Sequence, residues 1–370
     1  MQRAPRILMA GGGTGGHVYP AIAVARAIRA LEPEAAIAFA GTRDHLEWKA
    51  VPQAGFAIHP ITISGFHRKQ LLRNVSFPYK VTRGLLQSLA LVRHFDADVA
   101  VGTGGYVSGP VLLAASLRGR PIVTQEQNAY AGVTNRLLAR RAAQIHIAFP
   151  EATRWFPKEK CRLSGNPTRQ ELLTADPAEA RAHFQIPDGV RVLLIFGGSL
   201  GSLALNTAME QQRTRLFSDP NLVVIWQTGR LYYQRMQARV AAHPQLRLVQ
   251  YLHRMDLAYA AADLVVCRAG AITCSELLVT GTPAILVPSP HVAEDHQTRN
   301  AESLHRSGAA FIAPEGELEA VLTMRVPELL GDDALLAQMA AAACVAARPN
   351  AARDIAQSIL RLIGWKSQAS

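Results

Sequence analysis

The sequence predicts an α/β protein built from two doubly wound parallel sheets, one in each half of the 370-residue chain. Three observations predict this class. Short apolar runs of strand length alternate with helix-length amphipathic segments, as they do when helices join parallel strands. Glycine-rich turns follow several of these runs. The two halves also begin alike, because ILMAGGGTGG and LLIFGGSLGS each read as a strand, a glycine turn and the start of a helix.

The apolar runs predict six strands in each half. Those of the first half are 6–10, 36–41, 56–61, 98–102, 121–125 and 144–148, and those of the second are 191–196, 222–226, 246–252, 263–267, 284–288 and 309–313. Helices are expected between them, for example over 20–31 and 202–216. A last helix over 351–364 has no strand after it, so we expect it to pack back onto the first domain.

A change of composition marks the domain boundary. Residues 164–190 contain three prolines, several turn formers and no clear strand, which places the linker near Gly165 to Thr168. We therefore expect a first domain over 1–167, completed by a helix at 350–365, and a second domain over 168–349. A chain of this length is also expected to form two cores.

Composition narrows the class of protein and the place where it works. The four cysteines have no paired spacing, which is typical of reduced thiols in a cytosolic protein. The apolar stretch before the first glycines is too short for a signal peptide, and no run reaches the length of a membrane span. The net charge of +11 favours an anionic partner: nucleic acid, an acidic membrane or a phosphorylated ligand.

Three glycine-rich turns, at 11–17, 102–110 and 197–202, each follow a predicted parallel strand. Glycine lets backbone amides approach a phosphate, and the helix that follows presents its positive end. The carboxyl ends of the strands are also where open α/β sheets bind ligands. Together the three turns predict a phosphate-bearing ligand.

A nicotinamide cofactor is the first alternative, because Gly11, Gly13 and Gly16 satisfy the G-x-G-x-x-G fingerprint. Such a site usually has an acidic residue at the end of the second strand, where it binds the ribose. That strand ends in FAGT, and Asp44 comes later. The missing acid argues against a dehydrogenase and leaves His17, directly after the glycines, to be explained.

Two further segments predict binding. Glu276 lies in an otherwise apolar helix, where an unpaired carboxylate costs several kcal/mol to bury, and two ribose hydroxyls would satisfy its oxygens. Residues 48–95 contain seven basic side chains and no acidic one. Apolar residues interleaved with the basic ones favour an anionic membrane surface. The residues expected to contact it are Phe66, Arg68, Lys69, Leu71, Leu72, Arg73, Phe77, Lys80 and Arg83.

Seven blocks, in order along nearly the whole chain, resemble the MurG family of glycosyltransferases. They are GGGTGGHVYP, GTGGYVSGP, QEQNAYAGVTNR, SGNPTR, GGSLG, CRAGAITCSE and HQTRNA. The resemblance implies a GT-B fold, with two Rossmann-like domains facing a cleft. It also implies transfer of N-acetylglucosamine (GlcNAc) from UDP-GlcNAc to lipid I, undecaprenyl-pyrophosphoryl-MurNAc-pentapeptide, which gives lipid II for peptidoglycan. The enzyme would act peripherally at the cytoplasmic face of the inner membrane.

The resemblance also implies site residues. For the donor these are Leu252, Ala271, Ile272, Thr273, Cys274 and Ser275 near uracil, Glu276 on the ribose, Ser199 on the diphosphate, and His296 and Gln297 facing GlcNAc. Thr14, Gly15, Gly16, Asn128 and Arg169 would complete the donor site across the cleft, and His17, Tyr106 and Glu126 would line the acceptor side. The position of His296 is a glutamine in some members of the family.

The implied reaction inverts the anomeric centre, so it needs a base for the C4 hydroxyl of MurNAc. His17 is the first candidate, because the pKa of histidine suits proton transfer near neutral pH, and Glu126 is the second. Asp96 and Asp98 match a metal-binding D-x-D pattern, but they precede a strand, away from the glycine turns. We therefore expect no metal and no cofactor.

Three alternatives remain open. A UDP-GlcNAc 2-epimerase or a glycolipid synthase would use the same nucleotide-sugar fold. A basic nucleic-acid-binding protein would explain the charge alone, although no nucleic-acid-binding motif accompanies it.

Overall fold

The computed structural model describes residues 3–65, 75–292 and 295–365. The chain forms two compact units: residues up to Thr168 together with those from Asn350 onward, and Arg169–Pro349. Each unit contains one parallel sheet with helices on both faces.

The strands agree closely with the apolar runs of the sequence. In the first unit they are β1 (Arg6–Ala10), β2 (Ala36–Gly41), β3 (Ala57–Pro60), β4 (Val99–Gly102), β5 (Ile122–Glu126), β6 (Gln144–Ile147) and β7 (Cys161–Leu163). In the second they are β8 (Arg191–Phe196), β9 (Leu222–Gln227), β10 (Leu246–Val249), β11 (Leu264–Cys267), β12 (Ala284–Leu286) and β13 (Ala310–Ile312).

The helices mostly join successive strands. They are α1 (Gly15–Leu31), α2 (Glu47–Gln53), α3 (Phe77–Phe95), α4 (Gly105–Leu117), α5 (Val133–Leu138), α6 (Pro177–His183), α7 (Leu203–Leu216), α8 (Tyr233–Arg239), α9 (Met255–Ala261), α10 (Ala271–Thr280), α11 (His296–Arg306), α12 (Leu318–Ala320), α13 (Val326–Leu330), α14 (Asp333–Ala346) and α15 (Ala351–Leu362).

Both sheets have the same strand order. It is β3-β2-β1-β4-β5-β6-β7 in the first unit and β10-β9-β8-β11-β12-β13 in the second. The order reverses between β1 and β4, and again between β8 and β11. These reversals are the positions at which doubly wound sheets bind ligands. All three glycine turns follow strands at these positions, which confirms the predicted fold class.

Alternate residues of the first sheet supply two apolar layers. Ile7 and Met9 of β1 face one side, where they pack with α1 and α15, and Leu8 faces the other. Helix α15 buries Ile355 and Ile359 completely in the first of these layers. The expectation that the last helix packs back onto the first sheet is thereby confirmed.

The sequence analysis missed one strand and overextended several others, β10 by the most. β7 is three residues long at the sheet edge, and its sequence, CRL, has neither the length nor the apolar pattern of a strand. β10 ends at Val249 instead of residue 252. The backbone N–H of Leu252 bonds to the Gln227 side chain at 2.8 Å, and this bond takes the chain out of the sheet.

Among the described residues no single helix is long and apolar enough to cross a membrane, although the bent pair Glu315–Leu330 and Asp333–Leu362 meets that test of length and composition.

Candidate active site

The first two glycine turns interlock at the carboxyl ends of β1 and β4. Gly104 and Gly105 have φ angles of +100° and +77°, which favour glycine. A Cβ atom on Gly104 would lie 2.9 Å from the imidazole Nδ1 of His17, and one on Gly105 would lie 2.2 Å from the carbonyl oxygen of Gly12. Glycine at these positions therefore lets the second turn close against the first turn and its histidine.

His17 is held through one ring nitrogen. Its Nδ1 lies 3.0 Å from the carbonyl oxygen of Thr103 and 2.9 Å from Oε1 of Gln127. Both atoms are acceptors, so Nδ1 carries the hydrogen. The neutral ring then has its lone pair on Nε2. This is the tautomer that a general base requires.

A buried amide network fixes the side chain of Gln127. Its Nε2 donates to the carbonyl of Thr103 at 2.6 Å, which leaves Oε1 to accept from His17. Asn166 donates to the Gln127 carbonyl at 3.0 Å and accepts from Gln125 at 2.9 Å. The orientation of His17 thus depends on residues more than 100 positions away in sequence.

Glu126 has a different role in the structure. It is 2% exposed, and its carboxylate accepts hydrogen bonds along the loop that follows β5. One oxygen accepts from the backbone of Asn128 at 3.0 Å. The other accepts from Gly132 at 2.9 Å and from Asn135 at 2.8 Å. Both oxygens of the Glu126 carboxylate are therefore engaged in holding the loop, whereas His17 presents Nε2 without such contacts to the backbone.

The start of α1 forms the rest of this region. The carbonyl of Thr14 accepts from the backbone of His17 at 3.1 Å, and Gly15 and Gly16 form the exposed first turn of the helix. Tyr106, the second residue of α4, packs beside Gly13 with its hydroxyl buried. Burial raises the pKa of this hydroxyl.

Glu47 was not singled out from the sequence. It is completely buried, and its carboxylate accepts from the backbone of Gly13 at 3.1 Å and from the hydroxyl of Thr42 at 2.7 Å. The buried carboxylate of Glu47 therefore holds the backbone of the first glycine turn in place. Its only signal in the sequence is its place in the first turn of a helix.

The third glycine turn, in the second unit, opens onto a cavity of about 940 Å³. Ser199 and Gln297 both line it, as expected for residues that share a ligand. Arg268 lines it as well, directly after β11. Its guanidinium donates to the Ser202 hydroxyl at 2.7 Å and forms an ion pair with Glu315. Arg268 adds a cation at the end of β11, where the sequence analysis had singled out Ala271 to Glu276 but no basic residue.

Gln227 links two parts of this second region. Its Nε2 donates to the carbonyl of Gly198 in the third glycine turn at 3.1 Å. Its Oε1 accepts from the backbone of Leu252 at 2.8 Å. The buried amide of Gln227 therefore sets the position of Leu252 relative to the glycine turn.

Glu276 is buried on α10, with 5% of its surface exposed. The Tyr259 hydroxyl donates to Oε2 at 3.2 Å, and the Arg169 Nε lies 3.6 Å from Oε1. Burial raises the pKa of Glu276, and the nearby Arg169 opposes that rise. The carboxylate is thus not the surface acid that most lone helical glutamates are.

The first turns of α10 and α11 contain the remaining residues that the sequence analysis expects to bind the donor. Residues 271–273 are partly exposed, whereas the Cys274 thiol is fully buried, and its pKa is raised well above the usual range by burial. Cys274 can therefore face a ligand only through its backbone. At the start of α11, His296 is partly exposed, and the Gln297 Oε1 accepts from the backbone of Ser289 at 2.9 Å.

Comparison with known proteins shows the family to which this chain belongs. Residues 7–147 match the glycosyltransferase family 28 N-terminal domain, and residues 192–359 match the family 28 C-terminal domain. A transferase from Salinibacter ruber, named UDP-N-acetylglucosamine–N-acetylmuramyl-(pentapeptide) pyrophosphoryl-undecaprenol N-acetylglucosamine transferase, is 58% identical over 97% of both chains. The chain belongs to the MurG family. The crystal structure of Acinetobacter baumannii MurG is 30% identical, with a TM-score of 0.78 over 96% of this chain and 99% of that one.

Likeness to other enzymes is limited to the fold. A UDP-N-acetylglucosamine 2-epimerase structure from Listeria monocytogenes has a TM-score of 0.71 over 99% of this chain and 98% of that one, but it is only 13% identical. Membership of the MurG family therefore argues against the epimerase alternative. The fold alone could not distinguish the two, because the epimerase structure shares it.

Only part of the predicted membrane surface of this MurG-family chain can be placed. Phe66, Arg68, Lys69, Leu71, Leu72 and Arg73 lie outside the described residues. Phe77, Lys80 and Arg83 lie on the first turns of α3, where Arg83 is exposed and the other two are partly exposed. Large apolar side chains are exposed beside them: Val75 at 80%, Tyr79 at 61% and Leu86 at 62%.

The D-x-D pair of this chain binds arginines. Asp96 accepts from Arg120 at 2.8 Å and pairs with Arg3, and Asp98 accepts from the backbone of Arg6 at 2.8 Å. Both aspartates precede β4, at the opposite end from the glycine turns. In the described part of the chain, no group of three or more metal-binding side chains is found.

Proposed function

We propose that the chain transfers GlcNAc from UDP-GlcNAc to the C4 hydroxyl of MurNAc in lipid I, which yields lipid II for peptidoglycan synthesis. The observation that carries this proposal is the 58% identity, over 97% of both chains, to a transferase named for that donor sugar and that acceptor. The geometry of each unit supports a division of labour in which the second unit binds the donor and the first binds the acceptor.

In the second unit, the proposed donor contacts follow the parts of UDP-GlcNAc. Glu276 accepts hydrogen bonds from the ribose hydroxyls, since its buried carboxylate has capacity beyond Tyr259 and Arg169. Uracil lies against Leu252 and the first turn of α10. Ser199 and the amino end of α7 bind the diphosphate, where the helix dipole and backbone amides favour negative charge. Gln297 and His296 face the GlcNAc.

In the first unit, His17 is the proposed base. Its Nε2 takes the proton of the C4 hydroxyl as that oxygen attacks the anomeric carbon of GlcNAc. The bond from the anomeric carbon to the diphosphate breaks, UDP leaves with the electron pair, and the configuration inverts. Thr14, Gly15, Gly16, Tyr106 and Asn128 bind substrate around this histidine.

The test is a transfer assay with radiolabelled UDP-GlcNAc and a short-chain lipid I analogue. We expect a labelled product that contains both sugars, together with release of one UDP for each transfer. The same reaction without the acceptor serves as the control. Epimerisation of free UDP-GlcNAc without transfer would overturn the proposal and favour the epimerase alternative.

We also propose that the start of α3 contacts an anionic membrane, so that the chain works peripherally at the cytoplasmic face of the inner membrane. Tyr79 and Leu86 are seven residues apart, or about two helical turns, so they share one side of α3. Lys80 and Arg83 add positive charge near them, and no acidic residue occurs from 48 to 95. Partly inserted apolar side chains and nearby cations together are the usual requirements for binding without spanning.

Replacing Tyr79 and Leu86 together with serine tests this surface. Since each buried apolar side chain contributes about 1.5–3 kcal/mol, the double variant is expected to bind vesicles of anionic lipid at least about tenfold more weakly. Leu137→Ser, on α5 and 78% exposed, is the matched control and should bind like the wild type. Cosedimentation with vesicles measures both, and unchanged binding of the double variant would contradict the proposal.

A further inference from the structure

A second polar cavity, of about 480 Å³, lies in the first unit. Its walls come from the last two strands of the sheet, the residue after β7, and the last helix. The lining residues are Gln144, His146, Arg162, Leu163, Ser164, Asp354, Ser358 and Arg361. None of them belongs to the donor or acceptor residues described above.

The polar walls follow from strand register and helix spacing. Arg162 of β7 lies directly opposite His146 of β6, so both side chains project from the same face of the sheet. Helix α15 presents Asp354, Ser358 and Arg361 at spacings of four and three, which places them on one side of the helix. A bond of 2.8 Å between the Ser358 hydroxyl and the Gln144 side chain joins the helix to the strand.

His146 contributes a buried polar atom that lacks a partner. The side chain is 1% exposed, and its Nδ1 lies 2.7 Å from the Ser164 hydroxyl. The other acceptor near that hydroxyl, the Arg162 carbonyl, is 3.5 Å away, so the hydroxyl donates to Nδ1 and the ring hydrogen lies on Nε2. No partner for Nε2 is present in the described residues. The Nε2 atom has no exposed surface, so His146 forms part of the cavity wall and does not itself reach into the cavity.

The charge of the cavity walls favours an anion. Burial and the nearby Arg162 lower the pKa of His146 to about 4, so the ring is neutral at physiological pH and the positive charge of the cavity comes from arginines. One guanidinium nitrogen of Arg162 donates to the backbone carbonyls of Glu159 and Cys161, at 3.1 and 3.0 Å. Neither Arg162 nor Arg361 forms an ion pair with a carboxylate among the described residues. The forked guanidinium group suits the oxygens of phosphate.

We propose that this cavity is a binding site for a small organic phosphate, held by Arg162 and Arg361. The volume lies in the range of pockets that hold small molecules and exceeds what a bare phosphate ion fills. Asp354 adds one carboxylate to the wall. It accepts from a hydroxyl or an ammonium group of the organic part, and it disfavours ligands that are anionic throughout.

Calorimetric titration of the full chain with three probes tests the proposal. Saturating UDP is present throughout, so that phosphate binding at the proposed donor site does not contribute. Glycerol 3-phosphate is expected to bind with a stoichiometry of one, whereas glycerol should give no heat. Inorganic phosphate distinguishes the two sources of the anion: weaker binding identifies an organic phosphate, and equal binding identifies the free ion. Absence of binding by both phosphates would overturn the proposal.

Two variants and a matched control locate the binding. Arg361→Gln and Arg162→Gln each remove a charged donor at an exposed position and are expected to weaken binding by about tenfold or more. Arg353→Gln removes the same charge from the same helix outside the cavity and should change the affinity by less than about twofold. Thermal unfolding confirms that all three are folded. If Arg353→Gln loses as much affinity as the other two variants, the phosphate is attracted by the overall charge of the surface. That result would overturn the proposed site.

Discussion

The most informative contacts at the scale of single residues are those of His17. Its Nδ1 faces two acceptors, so the tautomer is fixed before any substrate binds. The backbone of His17 is tied to the same strand end, because the Thr103 hydroxyl donates to its carbonyl at 2.7 Å. The ring therefore has little freedom, and its Nε2 is held where the two glycine turns meet.

The role of His17 can be tested by two changes. His17→Ala removes the proposed base and is expected to lower kcat by about 10²- to 10⁴-fold while the affinity for UDP stays the same. Gln127→Glu places a carboxylate against Nδ1, which stabilises the imidazolium relative to the neutral ring that would act as base. The acid limb of the pH dependence of kcat should then move to higher pH.

Steady-state kinetics over a range of pH, together with UDP titration, measures both effects. His94→Ala, an exposed histidine on α3, is the control and should behave like the wild type. Turnover of His17→Ala near the wild-type rate would mean that another group takes the proton. If the pH dependence of kcat in Gln127→Glu matches that of the wild type, Gln127 does not influence the group whose ionisation limits turnover.

The buried carboxyl group of Glu276 is expected to make the free energy of unfolding depend on pH. Its pKa is raised in the folded protein, so the folded state binds the proton more tightly than the unfolded state does. Stability is therefore lost as pH rises from the unfolded pKa, near 4.5, through the folded pKa. Glu276→Gln removes this ionisation. Its stability relative to the wild type should increase from pH 4 to pH 8, as measured by urea unfolding.

The same substitution should weaken donor binding, because a neutral amide replaces the carboxylate that is proposed to accept from the ribose. Hydrogen bonds to charged groups contribute about 1.5–3 kcal/mol, so the affinity for UDP should fall by about tenfold or more at pH 7.5. Glu179→Gln, an exposed acid of the same unit, provides the control. Unchanged UDP affinity in Glu276→Gln would remove the ribose role, whatever the effect on stability.

At the scale of elements, the last helix is the part of the first unit whose contribution is easiest to isolate. Ile359 of α15 is fully buried in the layer that contains Ile7, Met9 and α1. Ile359→Ala should destabilise this unit by about 2–5 kcal/mol, since it creates a cavity in a packed layer. Met324→Ala, at a side chain that is 66% exposed, should change stability by less than about 0.5 kcal/mol.

Urea unfolding followed by circular dichroism checks the two variants, and UDP affinity provides a second measurement. The residues proposed to contact the uracil, the ribose and the diphosphate (Leu252, Glu276 and Ser199) belong to the other unit, so Ile359→Ala should still bind UDP under native conditions. Wild-type stability in Ile359→Ala would mean that α15 contributes little to the first core.

The sequence predicted elements well where the pattern is local and strong. β1, β2 and β8 have the predicted bounds because each is an unbroken apolar run that ends at a turn. β7 was missed because three residues at a sheet edge carry no periodic signal. The end of β10 was misplaced because the bond that removes the chain from the sheet comes from Gln227, in another strand.

The same distinction explains what could be predicted of the site. His17, Glu276 and the glycine turns are visible because they lie in short motifs. Gln127 and Tyr259 are not, since they lie 110 and 17 residues from the groups that they orient. A sequence pattern records which side chains stand at the ends of strands, but topology decides which distant amides and hydroxyls hold them.

At the scale of the whole molecule, the chain contains separate cores. One apolar cluster lies entirely within Arg169–Pro349, and two others lie within the first unit. The proposed UDP contacts, including Ser199, Leu252 and Glu276, belong to the second unit. Ligand binding stabilises only the structure that must unfold to release the ligand. UDP should therefore distinguish the units in an experiment that reports on each of them.

Hydrogen exchange of the intact protein, with and without UDP, is that experiment. At a concentration of 100 times Kd, binding adds about 2.7 kcal/mol, so the slowest amides of β8 and β9 should exchange about 100-fold more slowly. The slowest amides of β1 and β4 should slow by much less, because opening of the first core does not release the ligand. The Glu276→Gln variant, with UDP at the same concentration, controls for effects unrelated to binding and should lose most of this protection. Equal protection of β1 and β8 would instead show that the two units unfold together, and the cores would then be separate in packing but not in stability.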